Sequence, residues 1–347
     1  MVRLEQKLRN IRSGRYTQSD FIIADAKDGD MGAGVSATGF TTSADGRNRR
    51  IRTRAEFLDQ IQAIVEQGVV DIMLTSVSNL ELLHERGVFA GSPVKPAIRA
   101  NDTTDCWAGI RNGSYAGQPS RPFRSANLAR AMYGVPSPTP GAPVTGTDLG
   151  LYSVTFLNDL ERDAAMLEQF AGFREEAAKI GFKYFYEVFN PNVSSGLSRE
   201  QLGEYMNDCI LRSLAGLTKP ERPQFLKIAY NGPRALEELA SFDPSLVVGV
   251  LGGGAGTTRD TFELLSQAEK YGGRVALFGR KINLAEAPLA LLTLMRQVAE
   301  GAVSPTEAVR AYHADLKALE IAAARSLEDD LAVTEEVLKP ASGRKAA

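Results

Sequence analysis

A single lysine interrupts the apolar run Phe225-Leu226-Lys227-Ile228-Ala229-Tyr230, which ends at the turn residues Asn231-Gly232-Pro233. Side chains alternate between the faces of a strand, so Lys227 shares a face with Phe225 and Ala229 while Leu226 and Ile228 point away. An ammonium held among apolar groups loses hydration, which lowers its pKa and leaves neutral amine available as a nucleophile near neutral pH. Such an amine condenses with a carbonyl compound to a Schiff base. Taken alone, the segment fits more readily a lysine that snorkels past the strand end and pairs with a carboxylate. Two further apolar runs carry carboxylates. Phe21 to Ala26 places Asp25 at its end, on the face of Phe21 and Ile23, and Phe182 to Phe189 places Glu187 on the face of Phe185 and Phe189, with its neighbour Tyr186 on the other. Two carboxylates and a lysine from three such strands can pair around one pocket.

Anion-binding features follow the last two apolar runs. Gly252-Gly253-Gly254-Ala255-Gly256-Thr257-Thr258 opens a helix, so backbone amides and a helix N-terminus can face a phosphate; a tight turn is the plainer reading of the same glycines. The next run ends at Gly279-Arg280, and barrel enzymes often bind phosphate between the loops after strands seven and eight. Arg99 and Arg124 are further candidate substrate contacts. Gly32-Ala33-Gly34 is followed by Ala37 where a dinucleotide fingerprint needs its third small turn residue before a clear helix, so no nicotinamide cofactor is expected.

Composition removes other chemistries. With 40 basic and 42 acidic residues the net charge of -2 gives no general attraction to nucleic acid or an anionic membrane, and any anion site must be local. Only His84 and His313 are present, both in helical stretches, which rules out a zinc site built from several histidines and disfavours a Ser-His-Asp triad. Cys106 and Cys209 have no paired spacing, as in a reducing compartment, and the first residues lack an apolar signal core, so a cytoplasmic protein without metal is expected.

The elements that must position these residues read as eight strands: Phe21 to Ala26, Val69 to Leu74, Pro96 to Ala100, Leu151 to Phe156, Phe182 to Phe189, Phe225 to Tyr230, Leu246 to Leu251 and Arg274 to Phe278. Amphipathic segments of helical length separate most of them, including Arg54 to Gln67, Leu160 to Ile180, Arg199 to Leu214, Arg234 to Ala240 and Asp260 to Tyr271. Capping-box spacings at Ser198, Thr257 and Ser304 mark helix starts. Eight alternating units in 347 residues point to an α/β fold, the eightfold TIM barrel, over residues 1–338 as one domain, with a flexible tail at 339–347. A Gly-, Pro-, Ser- and Thr-rich insertion at 101–150, with one helical possibility at Ser125 to Tyr133, separates strands three and four on the active side and carries Trp107, Arg111, Arg121 and Arg124. It reads equally as a lid or as an oligomer contact. Past strand eight, Ala285 to Glu300 and Pro305 to Leu338 read as helices.

In order and content, Ile23-Ala24-Asp25, Tyr186-Glu187-Val188, Leu226 to Gly232, Gly252-Gly253-Gly254 and Phe278-Gly279-Arg280 resemble the lysine-dependent class I aldolases of the fructose-bisphosphate, tagatose-bisphosphate and deoxyribose-phosphate aldolase superfamily. The resemblance implies Lys227 as Schiff-base lysine, Asp25 and Glu187 as proton-handling groups, and Gly252, Gly253, Gly254, Gly279 and Arg280 as a phosphate site. Its implied substrate is a sugar phosphate, with no cofactor and no metal, and the expected assembly is a homo-oligomer. Some members use a fifth-strand tyrosine as the acid, so Tyr186 competes with Glu187. The insertion is longer than the usual connection, and the fourth strand lacks the extra lysine of some members. A transaldol, acyl-transfer or isomerising barrel for a sulfonated or non-phosphorylated sugar is therefore the alternative, and a non-catalytic sugar-phosphate binding barrel a third.

Overall fold

Eight parallel strands close on themselves in a computed structural model of the chain, which describes residues 3–42, 49–103, 109–254 and 256–339. Cys106, Trp107, Ala255 and the tail from Pro340 lie outside the described residues. The strands are β1 (Ile22–Lys27), β2 (Ile72–Thr75), β3 (Lys95–Arg99), β4 (Leu149–Thr155), β5 (Lys183–Phe189), β6 (Leu226–Ile228), β7 (Gly249–Leu251) and β8 (Val275–Phe278), paired in sequence order with β8 returning to β1. All eight expected strands are present, including the third, where Pro96 leads an otherwise short apolar run. Helices Arg54–Gln67, Leu160–Ile180 and Arg199–Leu214 match their expected spans. The capping boxes at Ser198, Thr257 and Ser304 are formed.

The strand alternation sorts the apolar residues into two groups. Ile22, Ala24, Ile72, Leu74, Ala97, Leu149, Leu151, Phe185, Phe225, Val275 and Leu277 fill the barrel interior. Ile23, Met73, Ile98, Tyr152, Tyr186, Val188, Leu226 and Phe278 point outward into the layer of helices. An N-terminal helix, Arg3–Arg12, was not expected; its Leu4, Leu8 and Ile11 recur at helical spacing and join the interior group, plugging the barrel's N-terminal mouth. The fully buried Asp71 fastens this end. It takes Arg3 at 2.7 Å, Lys7 at 3.0 Å, Arg296 at 2.8 Å and the Ile23 amide at 2.9 Å.

The expected helix from Pro305 to Leu338 is broken. It stops at Ala318, Glu320 takes a left-handed φ of 57°, and only a short helix at Leu327–Asp330 and a turn at Glu336–Leu338 follow. The apolar stripe that holds the helix to the barrel ends at Leu316, and residues 317–326 are exposed, so further turns would have no surface to bury. The insertion forms a two-stranded ribbon, Asp102–Thr103 with Pro122–Phe123, and a helix at Leu128–Tyr133. Asn192, in the loop after β5, accepts from the Ser120 amide (3.0 Å) and donates to Gln118 O (2.6 Å), which ties the insertion across the C-terminal face of the barrel.

Candidate active site

Above the apolar filling, the inward positions of four consecutive strands turn polar: Arg99 on β3, Ser153 on β4, Glu187 on β5 and Lys227 on β6. Register sets their neighbours, because Ser153 pairs with Glu187 and Glu187 with Lys227 across the sheet. Lys227 Nζ forms an ion pair with Glu187 Oε1. Ser153 Oγ donates to Glu187 Oε2, and Arg99 reaches the same oxygen through Nη2 at 3.3 Å while its Nη1 donates to Ser153 Oγ at 2.8 Å. Arg99 Nε pairs with Asp28, one residue beyond β1. Lys227 and Glu187 are 6% and 1% exposed, so the cluster is nearly closed to water. Burial alone would raise Asp28, but Arg99 and Lys227 outweigh it and hold its carboxyl below the usual range.

Neighbouring loops hold these strands in place. Asn190 and Asn231, just past β5 and β6, exchange two side-chain amide bonds at 2.8 and 3.1 Å. Asn101 Oδ1 accepts from the Ser153 amide at 2.6 Å and its Nδ2 donates to Ser153 O at 2.8 Å. Asp102 follows, buried, with its carboxyl pushed up to about 6 by burial against the pull of Arg99. Among the described residues no group of three or more histidine, cysteine, aspartate or glutamate side chains is arranged to hold a metal ion.

The structure brings Lys227, Glu187 and Arg99 together; Asp25 it does not. Asp25 pairs in register with Phe278 and Met73, both outward-facing, and its carboxylate meets Lys27 at 3.4 Å in a fully buried pair behind the barrel wall. Burial raises it to about 6, against the pull of Lys27. The inward positions of β1 are Ile22, Ala24 and Ala26, and the alternation reaches the charged cluster at Asp28. The signal was in the sequence: β1 runs to Lys27, past the expected end at Ala26, and Asp28 falls on the face of Ile22. Tyr186 also lies outside the cluster, in the outer core. Its ring stacks on Phe170 with centroids 4.6 Å apart, and burial pushes its phenol well above the ordinary range. Ser153 was missed because one hydroxyl in an apolar strand carries no mark of function. Lys227 itself stands beside a carboxylate rather than among apolar groups alone, the pairing that the segment left open.

The glycine-bearing loops do meet. Gly253 takes a φ of 60°, and a Cβ on Gly252 would stand 2.5 Å from the Phe278 ring, so both positions require glycine. The exposed Arg280, after Gly279, donates to Gly253 O at 2.9 Å. A carboxylate of the chain already faces this loop: a Cβ on Gly253 would lie 3.4 and 3.5 Å from the two oxygens of Glu335. Arg124 pairs instead with Glu176 on the outer helix Leu160–Ile180.

No family model matches the chain, and no curated protein matches it significantly. Solved structures do resemble it. An archaeal fructose 1,6-bisphosphate aldolase aligns with a TM-score of 0.58 at 14% identity, over 86% of this chain and 99% of that one. A fructose-bisphosphate aldolase from Slackia heliotrinireducens aligns at 0.60 and 12%, over 91% and 92%. A protein of Corynebacterium glutamicum aligns at 0.53 and 17%, over 86% and 98%. A Schiff-base-forming fructose-1,6-bisphosphate aldolase aligns at 0.58 and 14%, over 86% and 100%. At these identities the likeness is one of fold, and the chain shares the closed parallel barrel of the fructose-bisphosphate aldolases.

Proposed function

We propose that the protein is a carbon–carbon lyase of the imine-forming, class I type, with Lys227 as nucleophile toward a hydroxylated, sugar-like carbonyl compound. The observation that carries this reading is the Lys227–Glu187 ion pair at the C-terminal end of the barrel, nearly closed to water and tied through Arg99 to Asp28. Glu187 accepts a proton from the Lys227 ammonium, and the neutral amine adds to the carbonyl. Glu187 returns the proton to the carbinolamine hydroxyl, which leaves as water and yields a protonated imine. A base then takes the proton of the hydroxyl on the far carbon of the bond to be cut. The O–H electrons form the new aldehyde, and the electrons of the breaking bond flow into the imine to give an enamine. Protonation of the enamine and hydrolysis release the second product and restore Lys227. Asp28 suits the base, being ionised through the neutral range and placed on the inward side with Arg99. Arg99 holds both carboxylates and Ser153, fixing the geometry that proton transfer requires.

Borohydride reduction during incubation with dihydroxyacetone tests the reading, because it traps an imine as a stable secondary amine. The expected result is an adduct on Lys227 by peptide mass mapping, lost in Lys227→Met. An adduct mapped solely to another lysine overturns it.

A further inference from the structure

The C-terminal segment brings its own anions to the mouth of the barrel. Thr258, at the start of the helix after β7, donates its amide to Asp330 at 2.7 Å. The Thr257 hydroxyl donates to Ala332 O at 2.7 Å, and the amides of Thr334 and Glu335 donate to Asp260 at 2.7 and 3.2 Å. Beyond them Leu338 is buried, with its carbonyl accepting from Gln267 Nε2 at 2.9 Å. Between these anchors, Val337 lies against Gly232 in the loop after Lys227's strand, and the half-buried Glu335 faces Gly253 and Gly254 after β7, within the field of Arg280. Burial and Asp260 push the Glu335 carboxyl up, whereas the Gly254 amide and Arg280 pull it down.

The amides and guanidinium that could receive a phosphate thus face a carboxylate of the chain, and the helix N-terminus beside them gives its Thr258 amide to a second. A phosphate dianion placed there would meet a like charge in a partly desolvated site, an arrangement that costs binding heavily. A substrate hydroxyl would instead find an acceptor. Because the segment is fastened on both sides of Glu335, the carboxylate is a fixed wall of the site.

We infer that Glu335 is a specificity-determining residue whose carboxylate takes the place of a substrate phosphate, so that the protein acts on carbonyl compounds ending in an uncharged hydroxyl. This deepens the imine-lyase reading and rests on it for the word substrate. The anion cradle itself can be tested without it.

Calorimetric titration with millimolar inorganic phosphate is expected to give no binding to the native protein and measurable binding to Glu335→Gln, whose melting curve reports that it folds. Equal binding by both proteins, or binding by neither, overturns the inference. Borohydride trapping then compares dihydroxyacetone with its phosphate at equal concentration. Lys227 labelling by the phosphate is expected to be at least about tenfold weaker in the native protein, and Glu335→Gln is expected to close most of that gap. Stronger labelling by the phosphate in the native protein overturns the inference. Absence of label from both compounds defeats the imine reading instead, while the phosphate titration still decides whether Glu335 fills the cradle.

Discussion

Glu187 and Lys227 are register partners on adjacent parallel strands, and their charged ends meet directly inside the barrel. Register holds that meeting in place, because slipping either strand by one residue would turn its side chain to the other face. Tyr186, one residue away, is committed to the helix layer for the same reason. Glu187→Gln should therefore lower turnover by roughly a hundredfold or more, while Tyr186→Phe, still stacked on Phe170, should be nearly silent. Steady-state assays of folded variants check the ranking, and the reverse order would move the proton-handling role to the tyrosine.

Arg99 is expected to be intolerant of lysine. It serves Asp28, Ser153 and Glu187 through three different nitrogens, and an ammonium cannot reproduce that fork. Arg99→Lys should cut kcat by about tenfold or more with a smaller change in melting temperature. A variant with native kcat would show that the carboxylates need no such clamp.

The two acidic residues of the first strand region should separate by readout. Asp28→Asn is expected to lower turnover per folded molecule, since it removes the proposed base. Asp25→Asn should act on stability, because it leaves Lys27 buried without its partner, a type of loss worth about 3–5 kcal/mol. Thermal melts and active-site-normalised rates distinguish these outcomes. A large fall in kcat for Asp25→Asn at unchanged stability would restore the catalytic role first expected of it.

Asp71 should set the acid limit of the fold. Burial opposes its ionisation, but Lys7, Arg296 and Arg3 outweigh that and hold its carboxyl below the ordinary value. A depressed carboxylate contributes stability that is full above its unfolded pKa and is lost as pH falls through the folded one. Denaturant midpoints should therefore drop below about pH 4, and Asp71→Asn should flatten that part of the profile while lowering stability near neutrality. An unchanged acid limb in the variant would assign it to other carboxylates.

Chelators are expected to leave turnover intact, because in the proposed route the protonated imine serves as the electron sink. Loss of activity in EDTA, restored by zinc, would reverse the reaction class.

The alternation of strand and helix was legible because most strands are compact apolar runs and several helices open on capping boxes, as at Ser198 and Thr257. Lys227 and Glu187 were legible for the related reason that a charge inside such a run breaks the pattern. Asp28 was not, because it lies beyond β1, where alternation must be carried past the last apolar residue. Glu335 could not be read locally either. It reaches the glycine loop only because the chain breaks its last long helix and runs back along the barrel, a tertiary event with no mark in the residues around it.

The formal charges of the buried cluster sum to zero, with Lys227 and Arg99 opposed by Glu187 and Asp28. Passing a proton from Lys227 to Glu187 leaves that sum unchanged, and so does the later exchange of an ammonium and a carbonyl for a protonated imine and water. In the proposed route, imine formation would therefore draw no proton from the solvent and release none to it, and the first stages would run on a closed proton inventory.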